Sequence, residues 1–142
     1  MRAFAYRLLG QREYSLKELV NRISRKWPQV NDIELFVCQL SEENLVSDER
    51  FAESFLRSRV QRYQGPLKIR AELRGKGVAD SIISDALDTM SGEWRSLAAQ
   101  WLERQHSGAL SFADKKKYYR RLVNRGFAHD QAMDALNHKS SA

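Results

Sequence analysis

The sequence predicts an all-α fold of three tandem three-helix repeats in an extended, modular arrangement. The first observation is a pattern stated nearly twice: Glu72-Leu73-Arg74-Gly75-Lys76-Gly77-Val78 with Asp85-Ala86-Leu87 downstream, then Arg121-Leu122-Val123-Asn124-Arg125-Gly126-Phe127 with Asp134-Ala135-Leu136 downstream. In both copies Leu leads Gly by four positions, and the Asp-Ala-Leu triplet begins eight residues after that Gly. Secondly, a fainter copy at the front, Glu18-Leu19-Val20-Asn21-Arg22-Ile23, keeps the Leu and the cation but has Ile where the others have Gly. A period of about 45 to 50 residues is in the range of stacked helical modules. Thirdly, every strong periodicity is helical, and no period-two run is long enough for a sheet.

The first repeat, residues 1–46, opens with an amphipathic stripe of Phe4, Ala5, Leu8 and Leu9. Ser15-Leu16-Lys17-Glu18 then reads as a capping box starting a helix with Leu16, Leu19, Val20, Ile23 and Trp27 on one face. Pro28 stops it, and Asn31 is the expected cap of a third helix carrying Ile33, Phe36, Val37 and Leu40. The second repeat, 47–91, starts at Ser47-Asp48-Glu49 and buries Phe51, Ala52, Phe55, Leu56, Val60 and Tyr63. Gly65-Pro66 breaks and restarts the chain, because Pro is tolerated at the first helical position. Ile69 and Leu73 face inward, Gly77 caps the helix end, and Ile82, Ile83, Ala86, Leu87 and Met90 follow. The third repeat, 92–138, uses Trp94, Leu97, Ala98, Trp101 and Leu102, then a Ser111-capped helix with Phe112, the Lys115 stem, Tyr119, Leu122 and Val123 inward and Tyr118 outward. Gly126 ends that helix, and Ala132, Met133, Ala135 and Leu136 complete the last one. A short disordered tail is expected from Lys139 to Ala142.

The chain carries a net charge of +6 at pH 7. Residues 1–47 hold seven cations and six anions, 48–92 eight and seven, and 93–142 nine and five, so the last repeat carries most of the excess. Arg57, Arg59, Arg62, Lys68, Arg70, Arg74 and Lys76 are opposed within their stretch only by Glu72. Lys115, Lys116, Lys117, Arg120, Arg121 and Arg125 are opposed by no acid. Cations interleaved with an aromatic suit phosphates and exposed bases, so both clusters are the expected partner-binding residues for a polyanion.

Chemistry finds little support. His106, His129 and His138 lack metal-ligand spacing, and Arg74-Gly75-Lys76-Gly77 lacks the preceding strand and the Lys-Ser/Thr ending of a phosphate loop. The expectation is a protein that is not an enzyme, with no cofactor, no metal and no membrane span. The single Cys38 excludes an intramolecular disulfide, suits a reducing cytosol, and reads as a small residue beside the core. Monomer is the expected state.

Three motifs together resemble the RecX family. Arg12-Glu13-Tyr14-Ser15-Leu16-Lys17-Glu18-Leu19 is similar to that family's R-E-[YH]-S-x-x-E-L. Leu45-Val46-Ser47-Asp48-Glu49-Arg50-Phe51-Ala52 is similar to its loop, acidic cap, Arg and aromatic. The block from Gly65 to Val78 is similar to its G-P-x-x-I-x-x-E-L-x-x-K-G-hydrophobic element. The departures are Ala79 and Ala128 at positions that often hold a Ser or Asp cap, and Gly75 as an interior Gly that costs about 1 kcal/mol against Ala.

The resemblance implies a cytoplasmic bacterial regulator of recombination, active in DNA repair and the SOS response. Its implied partner is the RecA recombinase, chiefly as the filament on single-stranded DNA. It implies inhibition of ATP hydrolysis, strand exchange and coprotease activity, with single-stranded or double-stranded DNA as a further partner. Two alternatives rest on the helices alone: a DNA-binding protein of helix-turn-helix type, and a structural repeat scaffold. Against the former, Ser81, Ser84, Asp85 and Asp88 would give the helix after Gly77 an outer face that repels phosphate.

Overall fold

The computed structural model describes residues 1–141, with side chains through Lys139. The described residues form nine helices and no strand: α1 Arg2–Gln11, α2 Leu16–Lys26, α3 Ile33–Glu42, α4 Asp48–Gln61, α5 Pro66–Gly75, α6 Asp80–Asp88, α7 Trp94–Gln105, α8 Phe112–Asn124 and α9 His129–Ser141. The all-α expectation therefore holds. Of the expected tail, Lys139 lies within α9 and is tied to Glu103 at 2.7 Å, whereas Ala142 lies outside the described residues. The chain divides into two compact units, residues 1–55 with 73–86 and residues 56–72 with 87–142.

In the first unit, α1, α2 and α3 bury Ala5, Leu8, Leu19, Ile23, Ile33, Val37 and Leu40 around one core, with Phe4 edge-on to Trp27. The capping box forms as expected. The Glu18 N–H donates to Ser15 Oγ at 3.1 Å, and the Ser15 N–H donates to the Glu18 carboxylate at 3.1 Å. Helix α3 is instead preceded by Asp32, in a left-handed conformation with no side-chain cap bond, so Asn31 is not its cap. Cys38 is exposed on α3 and does not sit beside the core.

The start of α2 docks on the turn that ends α5. There the Gly77 N–H donates to Arg74 O at 3.0 Å and the Val78 N–H to Leu73 O at 3.1 Å, the paired bonds of a Schellman cap, with Gly77 left-handed at φ 81°. Ser15, fully buried, donates its hydroxyl to Lys76 O at 2.8 Å. Asp48 at the head of α4 accepts from the Leu16 N–H at 2.9 Å, and Arg50 pairs with Glu13 at 2.8 Å. The motifs that carried the family resemblance thus fasten one helix start to the next repeat.

Two carboxylates in this junction respond oppositely to pH. Burial pushes the Asp48 carboxyl above its usual range; the Leu16 N–H opposes that, while Glu49 and Glu18 add to it. Burial also works against charge on Glu18, yet hydrogen bonds from Arg12, the Ser15 N–H and Lys76 outweigh it and hold that carboxyl low. The raised group costs stability once ionised above its folded pKa, and that cost is relieved as pH falls through that value. The lowered one contributes stability that is present above its unfolded pKa and is lost as pH falls through the folded value. Asp48→Asn, which keeps an acceptor for Leu16, is expected to be more stable than the parent at pH 7, and Glu18→Gln less stable. Urea midpoints measured from pH 7 to pH 4 should show the Asn variant's advantage shrinking as pH falls.

In the second unit α7 packs along α9, burying Leu97, Ala98, Trp101 and Leu102 with Ala132, Ala135 and Leu136. Its α8–α9 turn repeats the cap described above: the Gly126 N–H donates to Val123 O at 2.9 Å, the Phe127 N–H to Leu122 O at 3.2 Å, and Gly126 has φ 99°. The start of α5 docks on it, with the Gly65 N–H donating to Arg125 O at 2.8 Å and the Leu67 N–H to Gly126 O at 2.9 Å. Lys17 against Gly77 and Lys68 against Gly126 are equivalent close approaches. The written repeat is therefore a repeated docking turn.

Candidate functional site

Helix α8 starts from a capping box, Ser111 with Asp114, and its buried side is Tyr118 and Leu122. This corrects the expected register by about one residue. Tyr118 packs edge-on to Trp101 at 6.2 Å and His106 at 5.7 Å, whereas Tyr119 is only half-buried, bonded to His129 Nδ1 at 2.8 Å, and Val123 is exposed. A step of roughly 100° between neighbours separates the two tyrosines, and the Trp101 ring selects which one enters.

With Tyr118 inward, Lys116, Lys117, Arg120 and Arg121 are exposed and Lys115 is half-buried. None of these five carries an ion pair among the described residues. The nearest acid in sequence, Asp114, turns back onto Ser111, whose hydrogen bonds hold its carboxyl low. Asp130 and Asp134 of α9 are taken by Arg95, at 2.8 and 3.5 Å. The α8 cations are thus left facing water.

Phe112, expected to face inward, stands among them instead. Phe112 is 74% exposed, with the Lys116 ammonium 4.8 Å from its ring centre. Phe112, Lys116, Tyr119 and Val123 follow i, i+4, i+7, i+11 spacing, so a cationic and an apolar stripe share one helix face. That periodicity is present in the sequence; placing Phe112, Tyr119 and Val123 in the core conceals it.

The remaining expected partner-binding residues separate by what they pair with. Arg59 pairs with Glu72 at 3.1 Å, Arg74 with Asp80 at 2.8 Å, and Lys76 with Glu18 at 3.1 Å, so the stretch is opposed by more than Glu72. Two of these acids lie outside the counted run of sequence. Arg70 is half-buried, while Arg57, Arg62 and Lys68 are exposed. Arg125 turns inward from the α8 face: it donates to Tyr63 O at 3.0 Å and to Arg62 O, capping α4, and burial lowers its pKa.

No helix of the described residues is long and apolar enough to cross a membrane, and no group of His, Cys, Asp or Glu among them could hold a metal ion.

This all-helical fold has counterparts of known family. The family model described as "RecX, second three-helix domain" matches residues 47–87. Regulatory protein RecX of Chromohalobacter salexigens is 40% identical over 135 residues, covering 94% of this chain and 89% of the relative. Its namesake in Halorhodospira halophila is 37% identical, covering 95% and 85%. The crystal structure of RecX from Lactobacillus salivarius superposes with a TM-score of 0.83 at 23% identity, over 99% of this chain and 94% of that one. The chain belongs to the RecX family of regulatory proteins.

Proposed function

We propose that this chain is a non-enzymatic, cytoplasmic regulator that binds the RecA recombinase and its filament on single-stranded DNA. In this reading it inhibits ATP hydrolysis, strand exchange and coprotease activity. It works as a monomer without a cofactor, built from repeats at 1–46, 47–91 and 92–138. The observation that carries the mechanism is the α8 face, where Lys116, Lys117, Arg120 and Arg121 have no ion-pair partner among the described residues. A helix of 13 residues is roughly 20 Å long, enough to lay those cations along an acidic or phosphate-lined groove. Desolvating them against a complementary surface gives orientation and fast association. Arg57, Arg62 and Lys68 offer a secondary set of contacts. A helix-turn-helix mode is disfavoured by the outer side of α6, where Ser81, Asp85 and Asp88 are exposed.

The test is recombinase ATPase on single-stranded DNA. Well below one copy per recombinase subunit, this protein is expected to lower the steady-state rate, because one bound molecule blocks more than the subunit it touches. Inhibition that appears only when the protein saturates the DNA would replace this account with competition for the strand.

A further inference from the structure

A second basic concentration lies within the first unit, where counting charge per repeat hides it. Helix α2 presents Lys17, Asn21 and Arg25 at i, i+4 and i+8 along the wall of a cleft of about 320 Å³, with Arg22 beside them. Arg12 and Lys76 line it as well. Five cations thus meet one carboxylate, Glu18, which is already shared by Arg12 at 3.3 Å, Lys76 at 3.1 Å and the Ser15 N–H at 3.1 Å. Lys17 and Arg25 carry no ion pair among the described residues, and Arg22 reaches only the Tyr14 hydroxyl, at 3.5 Å.

Gly75 borders the same cleft. Gly77 and Gly126 need glycine for handedness and close approach, but a Cβ on Gly75 would meet nothing within 4 Å, and its φ lies outside the left-handed range. The fold supplies no reason for a helical glycine there. A ligand approaching the α5 backbone would.

We infer that this cleft is a phosphate-binding site that takes the phosphodiester backbone of a nucleic-acid strand, independently of its bases. Its only ring, Tyr14, is buried under the Arg12 guanidinium at 3.7 Å from its centre, so no base can stack on it. Protein partners dock on aromatic and apolar cores, which this lining lacks, whereas nucleic-acid interfaces are polar and strongly positive. Three guanidinium groups suit forked contacts to phosphate oxygens.

The experiment measures binding of labelled oligothymidylate to the full chain across a salt series, without recombinase, so its outcome is separate from that of the filament reading. An abasic strand of equal length and polyglutamate serve as parallel probes. Arg25→Ala is expected to flatten the slope of log K on log salt by about 0.7 and to weaken binding about fourfold at about 0.15 M salt. The abasic strand should lose as much. Gly75→Leu should weaken both DNA probes while raising the thermal midpoint by a few degrees, since Leu is the better helix former. Unchanged affinity and slope in Arg25→Ala, which is exposed and alters no core packing, would overturn the site. A loss confined to polyglutamate would overturn it in favour of an acidic protein partner.

Discussion

Replacing Lys116, Lys117, Arg120 and Arg121 together by Glu is expected to weaken filament binding at least about a hundredfold at about 0.15 M salt and to abolish recombinase inhibition. Removing four cation–phosphate pairs, each worth about 0.7 in the salt slope, already accounts for a factor of that size, before the repulsion that Glu adds. The fold should survive, because all four side chains are exposed and the core side of α8 is Tyr118 and Leu122. Far-UV circular dichroism and the urea midpoint check that point.

Arg125 is left out of this set for a structural reason. Its guanidinium caps the carbonyls of Arg62 and Tyr63, so Arg125→Gln should lower the urea midpoint with little change in affinity for partners. The milder Ala series separates the surfaces touched. A slope that flattens with each substitution indicates phosphate, and weak binding to naked DNA with an unchanged slope indicates acidic protein. Filament affinity equal to that of the parent in the four-residue Glu variant would return this face to a merely solvated one.

The helices were legible because their signals are local. Ser15 forms the capping box its spacing promised, Ser111 is the expected cap, and Gly77 and Gly126 sit at left-handed turns four residues after a buried Leu. The site was legible only in part. Which of two adjacent tyrosines enters the core is decided by Trp101, a residue of another helix, and no periodicity within α8 contains that choice. Local counting also leaves Arg74 and Lys76 opposed only by Glu72, although Asp80 and Glu18 neutralise them after folding. The cleft along α2 escaped for the converse reason. Acids such as Glu34, Glu42 and Glu43 balance its cations in the sum, yet none of them lines it. Net charge per segment is a poor proxy for local potential wherever the fold re-sorts partners.

The Gly-centred docking turn makes the sharpest claim about stability. A Cβ on Gly65 would lie 2.4 Å from the Gly126 carbonyl carbon and 2.4 Å from the Phe127 nitrogen, both backbone atoms that cannot swing aside. A Cβ on Gly126 would lie 2.4 Å from Lys68 Cβ and 2.7 Å from the Lys68 nitrogen, at a φ of 99° that L-residues avoid. Gly65→Ala and Gly126→Ala must therefore part α5 from the turn, stretching the Gly65-to-Arg125 and Leu67-to-Gly126 hydrogen bonds. Each is expected to cost about 3 kcal/mol or more, since overpacking alone costs about 1 to 3 kcal/mol and the weakened buried bonds and strained φ add to it. Gly77→Ala should cost less, because the atoms it meets belong to the Lys17 side chain. Gly10→Ala provides the contrast: Gly10 lies inside α1 with nothing within 4 Å of its Cβ, so the same change should stabilise by roughly 0.5 to 1 kcal/mol. Urea unfolding followed by circular dichroism measures all four. Trp94 and Trp101 lie in the unit that holds Gly65 and Gly126, whereas Trp27 lies in the other, so single-Trp variants report which unit loosens. If Gly65→Ala and Gly126→Ala unfold at the parent's urea concentration, the close approach of α5 to the Gly126 turn is not what binds these helices, and the repeated Leu-to-Gly pattern needs another explanation.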